Sequence, residues 1–194
     1  VQEQPHIVAA LSVDDKKPDK LRLIWDGRPV NTNISLNKRK WHTLHDSRHS
    51  ISRGTRFIKL DLKSGYHHVP IATHCWKYMG FEWDGEWCVY TVLPFGLSPA
   101  PEVFMKVTNA LVKKWRREGI NVILHWLDDF VFDFGFDKNL AMDVVKHMLK
   151  DFHDSGLVVS HKKSEFDCNT TIEAVGFVID SIKHVFKAPI EFQE

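Results

Sequence analysis

The sequence predicts an α+β domain, an antiparallel sheet backed by helices in the split β-α-β, ferredoxin-like order. Three observations carry this. Short apolar runs rich in Val, Ile, Phe and Trp recur along the chain, and two of them end in acids. Two stretches, between Ser98 and Gly119 and between Asp137 and Gly156, instead repeat apolar residues with the period of a helix. From residue 55 to 179 these segments alternate as β-α-β-β-α-β.

Taken in order, Ile7-Val8-Ala9-Ala10-Leu11-Ser12-Val13 reads as a strand. Asp14 to Asp19 is a turn cluster, and Leu21-Arg22-Leu23-Ile24-Trp25 is the returning strand. Lys16, Lys17 and Lys20 make the tip of this hairpin basic. Residues 27–40 are polar with no core period, and 43–53 fit a short polar helix ended by Gly54. A strand follows over 55–62, running Phe57-Ile58-Lys59-Leu60-Asp61-Leu62. Ser64-Gly65-Tyr66-His67-His68 is a turn or helical start closed by Pro70. Two aromatic-rich strands within 75–93 meet at Asp84-Gly85, a hairpin signal. Ser98 is placed to cap a helix with Pro99 in its first position. Val103, Val107, Leu111 and Trp115 then share one face, and Gly119 ends the helix. Asn121–His125 and Val131–Phe134 flank the next turn. Asp137 caps a second helix whose core side is Leu140, Val144, Val145, Met148, Leu149 and Phe152, stopped by Gly156. A last hairpin has strands near 172–179 and 184–187.

Composition narrows the class. A chain of 194 residues holds one domain, or one domain with a subdomain. Hydrophobic residues at 43% and charged residues at 26% are globular values. No stretch reaches the ~18–20 apolar residues of a membrane span, so no membrane partner is expected. The polar start, Val1-Gln2-Glu3-Gln4-Pro5, is not expected to act as a signal peptide. Cys75, Cys88 and Cys168 are odd in number and scattered, which fits a reducing, intracellular setting, cytoplasmic or nuclear. The net charge is only +1, but Lys16, Lys17, Lys20 and Arg22, Lys38 to Lys40, and Lys113, Lys114, Arg116 and Arg117 form basic clusters. These suit phosphate binding, or simply a solvated surface. Twelve histidines show no metal-ligand spacing.

The most informative residues are Trp126-Leu127-Asp128-Asp129-Phe130, two adjacent carboxylates between two apolar strands. Neighbouring carboxylates repel, and neither can be buried ionised without a partner. A divalent cation would resolve the conflict, although solvated turn acids would also avoid it. The strand ending in Asp61 supplies a third acid. The split β-α-β order places that strand end beside the central hairpin. Three aspartates on two strand ends point to a metal site for phosphoryl or nucleotidyl transfer.

Six segments in order then resemble one family. Lys20-Leu21-Arg22-Leu23-Ile24-Trp25-Asp26-Gly27-Arg28-Pro29-Val30-Asn31 is similar to the fingers motif of a reverse transcriptase, the polymerase of retroelements. Leu60-Asp61-Leu62-Lys63-Ser64-Gly65-Tyr66-His67-His68-Val69-Pro70-Ile71 resembles its first palm motif. Leu93-Pro94-Phe95-Gly96-Leu97-Ser98-Pro99-Ala100-Pro101-Glu102-Val103-Phe104 resembles the segment beneath the incoming nucleotide, and Trp126-Leu127-Asp128-Asp129 the aromatic-x-Asp-Asp box. Gly156-Leu157-Val158-Val159 with Lys162-Lys163-Ser164 is similar to the motif that follows, and Val175-Gly176-Phe177-Val178-Ile179-Asp180 to the primer grip. The resemblance runs from about residue 8 to 189. It is nearest to tyrosine-recombinase (DIRS-like) retrotransposons, with gypsy-type elements second.

This resemblance implies a right-hand polymerase with fingers at approximately 1–40 and 69–98 and palm at approximately 41–68 and 99–187. The implied activity is RNA-directed DNA synthesis, adding dNTPs to a primer 3′-hydroxyl on an RNA or DNA template. The implied cofactor is a pair of Mg²⁺ ions, with Mn²⁺ as a substitute. Asp61 and Asp128 are the implied ligands, with the Leu62 carbonyl assisting and Asp129 as accessory acid. Lys20 and Arg22 would reach the triphosphate. Lys163 would be the general acid for pyrophosphate, with Lys162 leaving the register open by one. Tyr66 would exclude a ribose 2′-hydroxyl, and Phe95 and Gly96 would line the nucleotide pocket. Trp126, Val175, Gly176 and Phe177 would meet the primer and template. Trp126 departs from the usual tyrosine, and Gly27 stands where many relatives have leucine or phenylalanine, which predicts a looser fingers strand. Intact acids argue against the alternative, a catalytically inactive, domesticated nucleic-acid-binding module. A thumb, ribonuclease H, and recombinase or integrase regions are expected outside these residues, as parts of the same polyprotein. The fragment alone is therefore expected to bind template-primer weakly.

Overall fold

The computed structural model describes residues 1–14, 21–36, 51–136 and 138–188, with the side chains of 138–140 left out. Along the chain come β1 (Leu11–Asp14), β2 (Arg22–Trp25), the single-turn α1 (Arg28–Asn31), β3 (Phe57–Asp61), β4 (Gly80–Trp83) and β5 (Glu86–Val89). The long α2 (Ala100–Arg117), β6 (Asn121–Trp126), β7 (Asp129–Asp133) and α3 (Lys138–Asp154) follow, then β8 (Glu165–Asn169), β9 (Thr171–Ala174), β10 (Phe177–Asp180) and β11 (Val185–Lys187). The chain divides into two compact units, Val1–Arg39 with Tyr66–Phe104, and Lys40–Gly65 with Met105–Glu194.

In the first unit β1 and β2 pair antiparallel, Leu11 opposite Trp25. The basic tip, with Lys16, Lys17 and Lys20, lies outside the described residues. The first strand is shorter than expected, because Val8 makes an isolated parallel bridge to Gly80 instead. Residues 27–40 are not wholly irregular: α1 forms one turn at Arg28–Asn31, with Pro29 where a missing N–H costs nothing. Gly27 reflects close packing rather than looseness. A Cβ there would lie 2.2 Å from the Gly96 carbonyl oxygen. The β4–β5 hairpin turns at Asp84-Gly85 as expected, both at positive φ. Residues 75–78, expected to belong to the first of these strands, lie instead in a short 3₁₀ helix, Thr73–Tyr78.

The second unit is built on a four-stranded antiparallel sheet in the order β6-β7-β3-β8. This is the predicted split β-α-β order, but its last strand is β8, not 172–179. That apolar run breaks at Val175 and Gly176, whose φ values are 46° and 75°. It becomes β9 and β10 of a separate sheet, ordered β11-β10-β9. The expected helix over 43–53 falls largely outside the described residues.

Strand alternation divides the four-stranded sheet's side chains between two faces. Leu60 opposite Phe130 and Ile58 opposite Phe132 face the helices. There Trp115 of α2 meets Phe130, Phe132 and Phe152 edge-on, at 6.0, 5.7 and 5.1 Å between ring centres. The buried positions of α2 are Ala100, Phe104, Met105, Thr108, Val112 and Trp115. The expected stripe was rotated from this, and Val107 is 37% exposed. Burying Phe104 removes more apolar area than burying Val103 or Val107, and Thr108 is tolerated inside because its hydroxyl meets His125. In α3, Ala141, Val145, Met148 and Phe152 are buried. The expected cap Asp137 and the side chain of Leu140 lie outside the described residues. On the opposite face Phe57, Leu124 and Val131 pack with Ile172, Ala174 and Ile179 of the small sheet.

A bulge in β6, between Val122 and Leu124, sets Trp126 opposite Asp129 and His125 opposite Phe130. The His125 ring stacks on Phe130 at 4.7 Å. A proton on Nδ1 lets it donate to Asn109 Oδ1 at 3.2 Å and accept the Thr108 hydroxyl at Nε2, 2.8 Å away. Burial, aided by the Arg116 charge, holds this imidazole down to about 4. It is therefore neutral in the fold, whereas an unfolded histidine binds a proton near pH 6.5. The unfolded state takes up more protons between those values, so stability falls as the pH drops from 6.5 to 4. A shift of this size is worth about 3 kcal/mol. Urea unfolding across that pH range will show this loss in the wild type and a correspondingly smaller one in His125→Gln. Equal slopes in the two proteins would disprove it.

Candidate active site

In the second unit, β3 and β7 place Asp61 directly opposite Asp129. Opposed residues of an antiparallel pair have Cα atoms about 4.5–5.5 Å apart. The Leu62 N–H donates to the Asp128 carbonyl at 3.0 Å, closing the strand end onto the β6–β7 turn. Asp61, Leu62, Asp128 and Asp129 thus share one end of the sheet. At the turn, Leu127 has a φ of 54°, and its N–H points to Met105 Sδ at 3.1 Å. A leucine in that region costs roughly 1–3 kcal/mol. The sequence gives no hint of this strain, since Gly or Asn is the usual marker of such a turn.

Asp61 is 5% exposed and held on every side. Its N–H donates to Ser164 Oγ at 3.0 Å, and its carbonyl accepts the Ser160 N–H at 2.7 Å. Lys163 Nζ lies 2.9 and 3.2 Å from its two carboxylate oxygens. The Ser160–Ser164 turn, closed by Ser164 N–H to the Ser160 carbonyl at 2.9 Å, therefore presents Lys163 to Asp61. Lys162 is exposed. Burial raises the Asp129 carboxyl above the usual aspartate range. The Lys59 ammonium opposes this, and the charges of Asp128 and Asp61 reinforce it. Sequence reasoning missed Lys59, whose Nζ lies 3.6 Å from Asp129 Oδ1. Its signal was legible: a lysine at an inward position of an apolar strand.

Trp126 stands opposite Asp129 and is 36% exposed. Val175 and Gly176 form the β9–β10 turn, and Phe177 beyond it is 43% exposed.

The first unit gathers a second set. The Arg22 guanidinium lies over the Phe95 ring, 5.5 Å from its centre. The Tyr66 ring lies 5.1 Å from Phe95 and 5.6 Å from Phe104. Gly96 has a φ of 109°, and a Cβ there would stand 1.8 Å from the Trp25 carbonyl oxygen. The Trp25 N–H donates to the Phe95 carbonyl at 3.0 Å, while Asn31 donates to the Gly96 carbonyl and accepts the Ser98 N–H. Gly96 thus serves this close approach. Ser98 does not cap α2 as expected: its N–H is taken by Asn31, and its buried hydroxyl has no partner among the described residues. Lys20 lies outside the described residues.

The donor chemistry of Asp61, Asp128 and Asp129 fits a hard divalent cation: oxygen ligands only, mutually repelling, with one already gripping an ammonium. Another group fits less well. Glu118, His147 and Asp151 bring ligand atoms within 4.8 Å of one another. Lys114 Nζ lies 3.0 Å from Glu118 and 2.5 Å from Asp151, and the histidine nitrogen suits a hard, oxygen-seeking cation less well than a third carboxylate. Among the described residues, no helix is long and apolar enough to cross a membrane.

A family model described as "Reverse transcriptase (RNA-dependent DNA polymerase)" matches residues 13–179. The chain is 29% identical over 166 residues to the retrovirus-related Pol polyprotein from transposon gypsy of Drosophila melanogaster, covering 84% of this chain and 15% of that one. It is 25% identical over 170 residues to a putative enzymatic polyprotein of Cassava vein mosaic virus, covering 86% and 24%. Among solved structures, a foamy viral protease–reverse transcriptase in complex with double-stranded DNA shares the fold. That likeness has a TM-score of 0.85 at 22% identity, over 99% of this chain and 32% of that one. Native prototype foamy virus protease–reverse transcriptase gives 0.74 at 26% identity, over 96% and 24%. The chain thus spans less than a third of these relatives' length.

Proposed function

We propose, from its membership of the reverse transcriptase (RNA-dependent DNA polymerase) family, to which this chain belongs, that it is the fingers and palm of a retroelement polymerase. It extends a primer with dNTPs on an RNA or DNA template. The first unit supplies the fingers and the second the palm. The parent element is DIRS-like or gypsy-type, and the same polyprotein supplies thumb, ribonuclease H, and recombinase or integrase. The product acts inside the cell, in cytoplasm or nucleus. The observation that carries this reading is Asp61 set opposite Asp129 at the acidic turn.

The family works with divalent metal. Here Asp61 and Asp128, with the Leu62 carbonyl and Asp129 in support, would hold two Mg²⁺ ions. When bound, these would make the primer 3′-hydroxyl nucleophilic and neutralise the leaving pyrophosphate. The chain's own groups do the rest. Arg22 pairs bidentately with phosphate oxygens, its plane kept in place by Phe95, and Lys20 adds a point charge. Lys163 gives a proton to the pyrophosphate oxygen as the bond to the α-phosphorus breaks. Trp126 stacks at the primer terminus, and Val175, Gly176 and Phe177 hold the primer strand.

Tyr66 sets sugar choice. Its ring is braced by Phe95 and Phe104, so it cannot swing aside for a 2′-hydroxyl. Exclusion by a clash is specificity gained by repulsion, and truncation removes it. The test is extension of a DNA primer on an RNA template by the full-length gene product with Mg²⁺. Incorporation of dNTPs over rNTPs is expected, and Tyr66→Ala should narrow that preference by about tenfold or more. A wild-type product that extends with neither nucleotide would sink the polymerase reading. An unchanged preference in Tyr66→Ala would remove Tyr66 from its role.

A further inference from the structure

Lys59 lies on β3, two residues before Asp61 and on the same face of the sheet. Its side chain is only 16% exposed, and lysines are rarely so covered without partners. Among the described residues its ammonium reaches two oxygens, and the Glu165 carboxyl, opposite it on β8, also feels its charge. One oxygen is Asp129 Oδ1 at 3.6 Å, and the other is the Glu173 carbonyl, to which it donates at 3.0 Å. Glu173 sits on β9, just before the Val175-Gly176 turn. One cation therefore spans from an acid at the tip of the four-stranded sheet to the backbone of the neighbouring hairpin. Below it, Phe57 and Val131 pack against Ile172, Ala174 and Ile179, fixing the base of that hairpin to the same sheet face.

We infer that Lys59 is a positioning residue, which holds the Asp129 carboxylate and the β9–β10 hairpin in fixed register. The inference rests on the polymerase reading, in which the hairpin bears the primer strand and the acids receive its 3′-end. Chemistry then requires the primer terminus to arrive at the acids within a fraction of an ångström, and misplacement is costly. Both ends of the Lys59 bridge carry partial or full negative charge, so a neutral side chain cannot replace it. An arginine can, because it keeps the charge and the donors.

The experiment compares Lys59→Met, Lys59→Gln and Lys59→Arg in the full-length gene product. It reads amide hydrogen exchange at Val175, Gly176 and Phe177, single-nucleotide incorporation kinetics, and the urea midpoint. Both neutral variants are expected to speed exchange at the turn by about tenfold while the global midpoint stays near wild type. Their kcat should fall by about tenfold with the dNTP KM nearly unchanged. Lys59→Arg should restore exchange and kcat together. Two neutral variants guard against one that does not fold. Wild-type exchange in the neutral variants would overturn the inference, as would an arginine variant as defective as methionine, which would make the role one of packing. A product that incorporates no nucleotide even as wild type would fell the polymerase reading instead, and the exchange comparison would still decide the link.

Discussion

Replacing Asp61 or Asp128 by asparagine will lower dNTP incorporation by roughly 10³-fold or more, with little loss of template-primer affinity. An amide is nearly isosteric with a carboxylate but offers no charge to a cation, so the change strikes transition-state charge stabilisation and spares shape. Asp61 is the sharper case. It is buried, its N–H and carbonyl are fixed by Ser164 and Ser160, and it stands opposite Asp129. Asparagine keeps both backbone bonds. Its lost ion pair involves Lys163, whose side chain is 44% exposed, so the stability cost stays under about 1 kcal/mol. Asp129→Asn should cost less in rate, because in the proposed site Asp129 only supports the two principal ligands, Asp61 and Asp128. Single-nucleotide incorporation and filter binding check the three variants together. Asp61→Asn with a tenth of wild-type rate would show that this carboxylate is not a ligand.

The acid turn, the strand ending in Asp61 and the split β-α-β order were legible because each rests on a local pattern. Apolar runs ending in acids, helical periods and turn glycines report backbone state directly. What the sequence hid was set by contacts distant along the chain. The small sheet of β9, β10 and β11 arises from a turn at Val175-Gly176, and valine is an uncommon residue at positive φ. Strand β8, Glu165-Phe166-Asp167-Cys168-Asn169, is too polar to announce itself, and only Cys168 is buried. The inward stripe of α2 was misplaced because Val103 and Val107 carry the cleaner apolar period. Thr108 nevertheless lies inside, bonded to His125, and no helical pattern reveals such a partner. Gly27 looked like a loosened strand, whereas the space it leaves is filled by the Gly96 carbonyl. Lys162 and Lys163 were indistinguishable until the Ser160–Ser164 turn set their directions. Lys59 was visible as a lysine within an apolar strand, but its partners on β7 and β9 were not.

The largest loss of stability is expected at Trp115. It is fully buried, meets Phe130, Phe132 and Phe152 edge-on, and donates from Nε1 to Asp151 Oδ2 at 2.8 Å. Trp115→Ala removes the largest side chain between helices and sheet and leaves a cavity that three rigid rings cannot fill. A loss of about 3–5 kcal/mol follows, measured as a lower urea midpoint at constant slope. Trp115→Phe keeps most of the contact and gives up the Asp151 bond. Lys114 still partners that carboxylate, so this variant should lose only about 1 kcal/mol beyond the smaller ring. The consequence reaches the candidate active site through β7, where Phe130 and Phe132 face Trp115 while Asp129, at the strand's start, faces the other way. Loosening the helical layer therefore lets the acid-bearing strand shift, and Trp115→Ala should slow incorporation well below its melting temperature. Trp115→Ala with a wild-type urea midpoint would mean that this aromatic cluster does not hold the sheet.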